Sequence, residues 1–389
     1  MQALVFIAAV TFILGISYLW SILSVKGLEI NQGFENERIF LDDTVNYIQE
    51  LTNKKPFPLP WIKVETEVPN EIVFLKGTLV PHNKPNKKIL SGVYSLLWYQ
   101  KIRRRYPVFP QNRGIFFFGP VTLTTGDILG FFHKEMKMYN NAKLIVYPRI
   151  VDVTVTEGAP DITLSGVSGR KDLFSDPFSF SGKRDYFPGD SLKDIDWKSL
   201  AKFDRLLVKV FDSSYKKRVS IILDVNTFEN AWEGIDPELS EFLIMLTASI
   251  AKKAIDRGCE VMLASNGRMI SDDKDTDIIT LIPFGVGSIH LKAILEALAR
   301  LDNYSIFKID DIFPKVLGML KKGSRVVYIT ANWGNNGKKV VELMKKMNFD
   351  IELILAGKKN KDCKGPEGVK TYHAFGEEKW REIPFIELF

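Results

Sequence analysis

The residues with the clearest chemical potential form a short run near the middle of the sequence. Seven charged residues fall between Arg184 and Lys198. Three aromatic residues stand among them: Tyr186, Phe187 and Trp197. Two of the carboxylates, Asp190 and Asp196, could in principle act as a general acid and base. Because they alternate with lysine and arginine, the pattern favours instead a network of ion pairs and hydrogen bonds where two domains meet.

A turn is expected inside this run. Pro188-Gly189 predicts a tight turn, and the side chain of Asp190 can accept hydrogen bonds from the backbone amides around it. Most charge-dense junctions are structural, so we favour a structural network and keep a partner-binding or ligand-binding site as the alternative. The residues of that alternative site are Arg184, Tyr186, Gly189, Asp190, Asp196, Trp197 and Lys198.

The common catalytic motifs are absent from the sequence. It contains no G-x-x-x-x-G-K-[ST], no H-E-x-x-H and no G-x-S-x-G. The four histidines are scattered, which disfavours a histidine-rich metal site. The two cysteines, Cys259 and Cys363, form no C-x-x-C pair, which favours a reducing compartment. We therefore expect a non-enzymatic protein with no cofactor, and the mild net charge of +6 gives no indication of nucleic-acid binding.

The last part of the chain, about Arg218 to Phe389, alternates strands and helices. Asp236-Pro237 predicts the start of a helix that Gly258 ends, and Asn266-Gly267 predicts a tight turn. Expected strands cover 219–223, 260–264, 325–329 and 351–355, and expected helices cover 237–257, 288–301, 310–322 and 337–347. This alternation predicts a parallel sheet covered on both faces. Ligands of such sheets bind at the carboxyl ends of strands, here residues 224–228 and 330–333.

The region between about Gly27 and Val155 is typical of strands. Residues 45–51 and 62–68 alternate apolar and polar side chains, and so do residues 94–103, which we expect to form one strand. Short apolar runs at 115–118 and 144–147 predict central strands. Several such strands with no strong helix predict an antiparallel β-sandwich. The basic run Arg103 to Arg105 favours a solvated strand edge, with contact to anionic lipid as the alternative.

The N-terminus, Gln2 to Val25, predicts a single membrane-spanning helix. It contains no Asp, Glu, Lys, Arg or His and is long enough to cross the hydrocarbon layer. A cleaved signal peptide is the alternative, but no basic residue precedes the apolar run. Lys26 and Arg38 follow the helix, so the positive-inside rule predicts a cytoplasmic soluble region at the cell membrane.

The central run closely resembles the signature of the family called domain of unknown function 58. That signature has an Arg, a Tyr, Pro-Gly-Asp, Ile-Asp-Trp-Lys, an Ala and a Leu-Val strand, and all of these are present between Arg184 and Val208. The first soluble region agrees at Pro58-Leu-Pro60-Trp61 and at Val146-Tyr147-Pro148-Arg149. Many members carry two N-terminal membrane helices, whereas we find one here, because residues 27–53 are too charged to form a second.

The resemblance implies a membrane-anchored protein with a β-sandwich followed by a von Willebrand A-like, Rossmann-like α/β domain. We therefore expect an anchor at 1–26, a β-sandwich at 27–155, a junction motif at 156–217 and the A-like domain at 218–389. It also implies association with MoxR-type AAA+ ATPases. Such domains hold Mg²⁺ through an Asp-x-Ser-x-Ser loop, but the matching residues here are Asp224, Asn226 and Phe228. Phe228 offers no oxygen, so we expect no metal.

Three hypotheses follow from these residues. The leading one is a membrane-tethered, non-enzymatic binding or scaffold protein that engages a MoxR-type ATPase or its client during assembly or maturation of protein complexes. The second is a hydrolase that uses Asp190 and Asp196. The third is a divalent-dependent adhesion module.

Overall fold

The computed structural model describes residues 2–127, 130–155, 180–188, 190–203, 205–211, 218–269, 278–303 and 307–389. The chain divides into two compact units. The first comprises Met1–Ile150, Met269–Ile278 and Lys292–Asp302, and the second comprises Val151–Arg268, Ile279–Leu291 and Asn303–Phe389.

The first element is helix α1, Gln2–Val25, as the apolar run predicts. It is long and apolar enough to cross a membrane. Its side chains are exposed over most of its length, but Ser17, Ser21 and Ser24 are buried. These three residues share one face of the helix, so the last two turns of α1 pack against the first unit.

Twelve strands follow in the part of the first unit that the structure describes, and they form three sheets with the orders β1-β3-β8-β5, β11-β10-β4-β7-β6 and β2-β12-β9. Every pairing in these sheets is antiparallel except that of β12 with β2. The strands are β1 (Leu28–Phe34), β2 (Arg38–Phe40), β3 (Val45–Asn53), β4 (Leu59–Pro69), β5 (Ile72–Phe74), β6 (Thr78–Pro81), β7 (Lys87–Leu96), β8 (Lys101–Pro110), β9 (Gly114–Phe118), β10 (Val121–Gly126), β11 (His133–Met138) and β12 (Ala142–Tyr147).

The period-two pattern explains how these sheets pack. Side chains alternate between buried and half-buried along β3, as its sequence predicts. The buried set of β1 and β3 shares a core with that of β4 and β10, which includes Leu51, Ile62 and Leu123. The amide of Gln49 also donates to Thr66 Oγ1 at 2.8 Å across this core. The first two sheets therefore pack face to face.

The single strand expected over residues 94–103 is wrong. β7 ends at Leu96 and β8 begins at Lys101, so a turn separates them. In this turn Tyr99 has a φ of 53°, which few non-glycine residues adopt, and the amide of Leu97 donates to the side chain of Gln100 at 2.7 Å. Apolar and polar side chains alternate through the turn as they do in the two strands, so the periodicity alone does not indicate where β7 ends.

The elements after Ile150 include one eight-stranded sheet of order β13-β22-β21-β20-β19-β16-β17-β18 and a two-stranded sheet, β14-β15. The strands are β13 (Asp152–Val155), β14 (Phe180–Asp185), β15 (Leu207–Phe211), β16 (Arg218–Asp224), β17 (Glu260–Met269), β18 (Ile278–Gly285), β19 (Arg325–Thr330), β20 (Asp350–Ala356), β21 (Lys370–Ala374) and β22 (Phe385–Leu388). The helices are α2 (Trp197–Phe203), α3 (Pro237–Asp256), α4 (Gly287–Arg300), α5 (Ile309–Met319) and α6 (Asn335–Lys346).

The large sheet is mixed, with a parallel centre of β17, β16, β19, β20 and β21 and an antiparallel pair between β21 and β22. Its central strands are buried along nearly their whole length, as expected of strands covered on both faces. The start of α3 also follows the sequence, because the carboxylate of Asp236 accepts from the amide of Leu239. An α/β sheet is thus confirmed.

Two boundaries in this part differ from expectation. Asn266-Gly267 forms no tight turn, because β17 continues through it to Met269, and parallel pairing with β16 extends as far as Ser265. Helix α5 ends at Met319 rather than Lys322. The strands expected from the sequence do not include β18, β21 or β22; β21 and β22 are short, with 5 and 4 residues, and β18 has 8 residues.

Candidate functional site

The central run folds as a small element that we name the central hairpin, defined as residues 180–211. β14 and β15 pair antiparallel, with Arg184 opposite Val208. Between them lie a 3-10 turn at Leu192–Asp194 and helix α2. Ile195 forms a bridge with Val208, and both side chains are buried. The pairing of β14 with β15 thus brings together Arg184 and Val208, the two ends of the central run.

Arg184 and Asp190 form a bidentate ion pair at one end of the hairpin. The two terminal guanidinium nitrogens, Nη1 and Nη2, each donate to one carboxylate oxygen at 2.7 Å. The same carboxylate accepts from the amide of Phe187 at 2.9 Å, and the amide of Asp190 donates back to the Phe187 carbonyl at 3.0 Å. Asp190 thus closes the turn at Pro188, as the sequence predicts, and holds the guanidinium 5.8 Å from the centre of the Phe187 ring.

This geometry keeps Asp190 ionised. Its hydrogen bonds from Arg184 and then from the Phe187 amide lower the pKa of Asp190 from 3.8 to about 2. A carboxylate with so low a pKa is a weak general base near neutral pH.

Asp196 is the centre of the second cluster. Its carboxylate accepts from Lys183 Nζ at 2.5 Å and from Ser199 Oγ at 2.7 Å. Its other oxygen accepts from the Lys198 amide at 3.2 Å, and its carbonyl accepts from the Leu200 amide. Asp196 is therefore the N-cap of α2. The hydrogen bond from Lys183, followed by that from Ser199, holds the pKa of Asp196 far below its usual range.

The side chains around these clusters point outward. Trp197 is 61% exposed, and Phe187, Leu192, Leu206 and Lys198 are exposed as well. Tyr186 is half-buried, while its amide donates to the carbonyl of Leu206. The two ion pairs thus support a surface that presents large apolar side chains to its surroundings.

The structure brings together some of the expected site residues and not others. Arg184 pairs with Asp190, whereas Asp196 pairs with Lys183 and Ser199, which the sequence argument missed. Two features of the sequence could have indicated Lys183 and Ser199. Lys183 is next to Arg184, and Ser199 stands three residues after Asp196, the N-cap of α2. Gly189 lies outside the described residues.

Acidification gives a test of the Arg184–Asp190 pair. Because the folded pKa of Asp190 is lowered to about 2, the pair stabilises the turn fully above about pH 4 and loses its effect as the pH falls through 2. Hydrogen exchange of the Phe187 and Asp190 amides, corrected for intrinsic rates, should stay slow down to pH 4 and become fast towards pH 2. Asp190→Asn should be fast throughout, and equal protection in that variant would contradict the assignment.

A third cluster of polar residues lies at the carboxyl end of β16. Asp224 is buried, and one of its oxygens accepts from the Asn226 amide at 3.1 Å and from Asn266 Nδ2 at 2.7 Å. The hydroxyls of Tyr328 and Thr330 approach the other oxygen at 3.4 and 3.5 Å. Burial, the largest influence, raises the pKa of Asp224 to about 6. Asp224 thus holds the segment that follows β16 through the amide of Asn226.

These residues do not fit a magnesium shell. Both oxygens of Asp224 are engaged by protein donors, and the side chain of Asn226 donates to the carbonyl of Phe307 at 3.2 Å. The ring of Phe228 lies 4.0 Å from Lys359 Nζ and contributes no oxygen. Over the part of the chain that the structure describes, no three His, Cys, Asp or Glu side chains gather as a metal site.

The sequence has identifiable relatives. The family model described as "Protein of unknown function DUF58" matches residues 182–318. The uncharacterised protein YeaD of Bacillus subtilis (strain 168) is 25% identical over 285 residues, which cover 72% of this chain and 64% of YeaD. The chain thus spans less than two thirds of the length of this relative.

Two solved structures share a partial likeness. The CARDB domain of a Pyrococcus furiosus protein, in complex with di-metal ions, is 13% identical and covers 31% of this chain and 94% of that chain, with a TM-score of 0.21. A non-cellulosomal cohesin from Archaeoglobus fulgidus is 8% identical and covers 30% of this chain and 91% of that chain, also at 0.21. TM-scores this low carry no argument. The family-model match over residues 182–318 and the similarity to YeaD instead support a relationship between this part of the chain and the DUF58 family of proteins of unknown function.

Proposed function

We propose that this protein is a membrane-anchored, non-enzymatic binding protein whose central hairpin docks a partner protein. The observation that carries the proposal is the exposure of Trp197 and Phe187 on an element held by two ion pairs. Groups of large exposed apolar side chains mark interaction surfaces, and Trp and Arg dominate the energy of protein interfaces. A framework that is already ordered reduces the entropy lost on binding.

The partner we propose is a MoxR-type AAA+ ATPase or its client, in the assembly or maturation of protein complexes. This choice rests on the resemblance described above. In the same proposal, the first unit is a β-sandwich and the second is a von Willebrand A-like domain. The face-to-face sheets of the first unit and the parallel order β17-β16-β19-β20 of the second support these assignments.

We place the soluble region on the cytoplasmic side of the cell membrane. Lys26 and Arg38 follow α1, and the positive-inside rule assigns such residues to the cytoplasm. Neither Cys259 nor Cys363 is part of a disulfide, which suits a reducing compartment. The low pKa values of Asp190 and Asp196 weigh against the hydrolase hypothesis, and the donors around Asp224 weigh against the divalent-dependent one.

Capture of the full-length, tagged chain from membranes of its own organism tests the proposal. Trp197→Ala and Phe187→Ala should each reduce recovery of the ATPase by about tenfold or more, because a hot-spot aromatic contributes at least about 1.4 kcal/mol. Trp232→Ala is the matched control, since Trp232 is 83% exposed and lies in the short helix after β16.

Two results would contradict this proposal. Recovery of no ATPase by the wild-type chain would exclude the partner. Loss of recovery with Trp232→Ala but not with Trp197→Ala would move the docking surface to the loop after β16.

A further inference from the structure

Three loops of the first unit lie at the end where α1 joins it. We name residues 54–58, 97–100, 127 and 130–132 the loop collar. The loops follow β3, β7 and β10, and the register of the strands places all of them at one end. The pairs that show this are Leu28 with Asn53, Thr52 with Lys101, Leu59 with Leu96, and Gly126 with His133.

The loop collar is tied to the last turns of α1. Lys55 is buried, and its ammonium donates to the carbonyls of Ser24 and of Lys26, the latter at 2.9 Å. A cation in this position complements the negative end of the helix dipole. Two ring contacts extend the interface, Trp20 with Phe57 at 6.1 Å and Tyr18 with Phe132 at 5.6 Å between centroids.

The loops of the collar also contact one another. The amide of Tyr99 donates to the carbonyl of Lys55 at 3.2 Å. Asn53 Nδ2 donates to the carbonyls of Phe57 and Leu97 at 2.9 and 2.8 Å. The loop collar is therefore fixed to the last turns of α1, so the depth of α1 in a bilayer also sets the depth of the collar.

The length of α1 fixes that depth. The part of α1 that precedes the buried Ser17, Gln2 to Ile16, has a length of about 22 Å at ~1.5 Å per residue. The hydrocarbon core of a bilayer is about 30 Å thick. The part before Ser17 is too short, so the last two turns of α1, from Ser17 onward, must enter the membrane boundary too.

The side chains that the loop collar presents suit that boundary. Phe57, Leu97, Trp98, Tyr99 and Phe131 are all exposed. Aromatic side chains favour the layer between hydrocarbon and water. Exposed lysines at this end, Lys26 and Lys134, can contact anionic headgroups.

We infer that the loop collar inserts into the headgroup layer of the membrane, so that the first unit is partly immersed rather than held above the lipid on a free helix. The inference rests on the anchoring by α1 proposed above. It assigns Trp98, Tyr99 and Phe131 a role as interfacial contacts, and its partner is the phospholipid surface itself.

Quenching of tryptophan emission by brominated lipid tests this inference on the full chain in vesicles. Phe131 and Tyr139 flank β11 at its two ends, are 59% and 79% exposed, and are about 20 Å apart along the strand. Phe131→Trp should add emission that brominated acyl chains quench. Tyr139→Trp, the matched control, should add emission that they leave unquenched. Trp98→Phe should remove part of the tryptophan emission that brominated acyl chains quench.

The outcomes distinguish the anchoring of the chain by α1 from the insertion of the loop collar. If the chain floats with vesicles after an alkaline wash but Phe131→Trp adds unquenched emission, the loop collar stands in water and this inference fails while the anchor holds. Equal quenching of Tyr139→Trp would also overturn it, because the unit would then lie flat on the membrane. A chain that does not float would remove the anchor and this inference together.

Discussion

Replacing Asp224 by alanine should lower the free energy of unfolding by roughly 2 to 4 kcal/mol, because it removes the acceptor of the half-buried Asn226 amide and one of the two acceptors of the buried Asn266 amide group. Asp224→Asn should cost far less. Its side-chain oxygen can keep those two bonds, and the hydroxyls of Tyr328 and Thr330 can accept from its NH₂ group. Pulse proteolysis of the full chain across a urea series measures the difference. Equal losses in the two variants would contradict this role for the carboxylate.

Asp224 should also give stability a pH dependence of unusual sign. Its pKa is raised from 3.8 to about 6 in the folded chain, so between these values the folded state binds more protons than the unfolded state. The contribution of Asp224 is therefore complete below about pH 4 and falls by about 3 kcal/mol as the pH rises through 6. Asp224→Asn should remove this slope. A slope that persists in the variant would show that another group causes it.

Replacing Asp196 by alanine should open the central hairpin while leaving the large sheet intact. The change removes the partner of Lys183, the acceptor of Ser199 and the N-cap of α2 at once. Hydrogen exchange of the described hairpin amides between Lys183 and Val208 should become faster by about tenfold or more, as expected of a local opening. Capture of the partner should fall as it does for Trp197→Ala.

Ser199→Ala is the matched control for this prediction. It removes one donor but leaves the ion pair of Asp196 with Lys183 and the N-cap in place, so it should cause a much smaller change. Exchange that is unchanged in Asp196→Ala would show that the exposed aromatic surface does not depend on this cluster.

Much of the fold follows from local sequence because the physical causes are local. β3 and β16 were predicted from alternation and from a continuous apolar run, and both are present. The start of α3 follows from Asp236 and its neighbouring proline. In each case a few adjacent residues contain the whole cause.

The structure differs from the sequence-based prediction where residues far apart in the chain determine the local conformation. Asn266-Gly267 has the composition of a turn, but parallel pairing beside β16 continues the strand towards it. Asn266 also supplies the donor to Asp224, 42 residues earlier in the chain. No spacing rule identifies such a pair.

The candidate site shows the same division. The ion pair of Arg184 and Asp190 spans one turn and can be inferred from the Pro188-Gly189 signal. The cluster of Lys183, Asp196 and Ser199 needs the register of β14 against β15 as well as the position of α2. The charged residues can be identified from the sequence, but their pairing depends on the fold.

Hydrogen-exchange footprinting tests the proposed docking surface most directly. The full chain in lipid nanodiscs would be compared with and without a purified MoxR-type ATPase from the same organism. Binding through the central hairpin predicts slower exchange at residues 182–188 and 190–208, with α2 included. Unchanged exchange there, together with protection at residues 224–228 and 330–333, would contradict it and locate binding at the carboxyl edge of the large sheet.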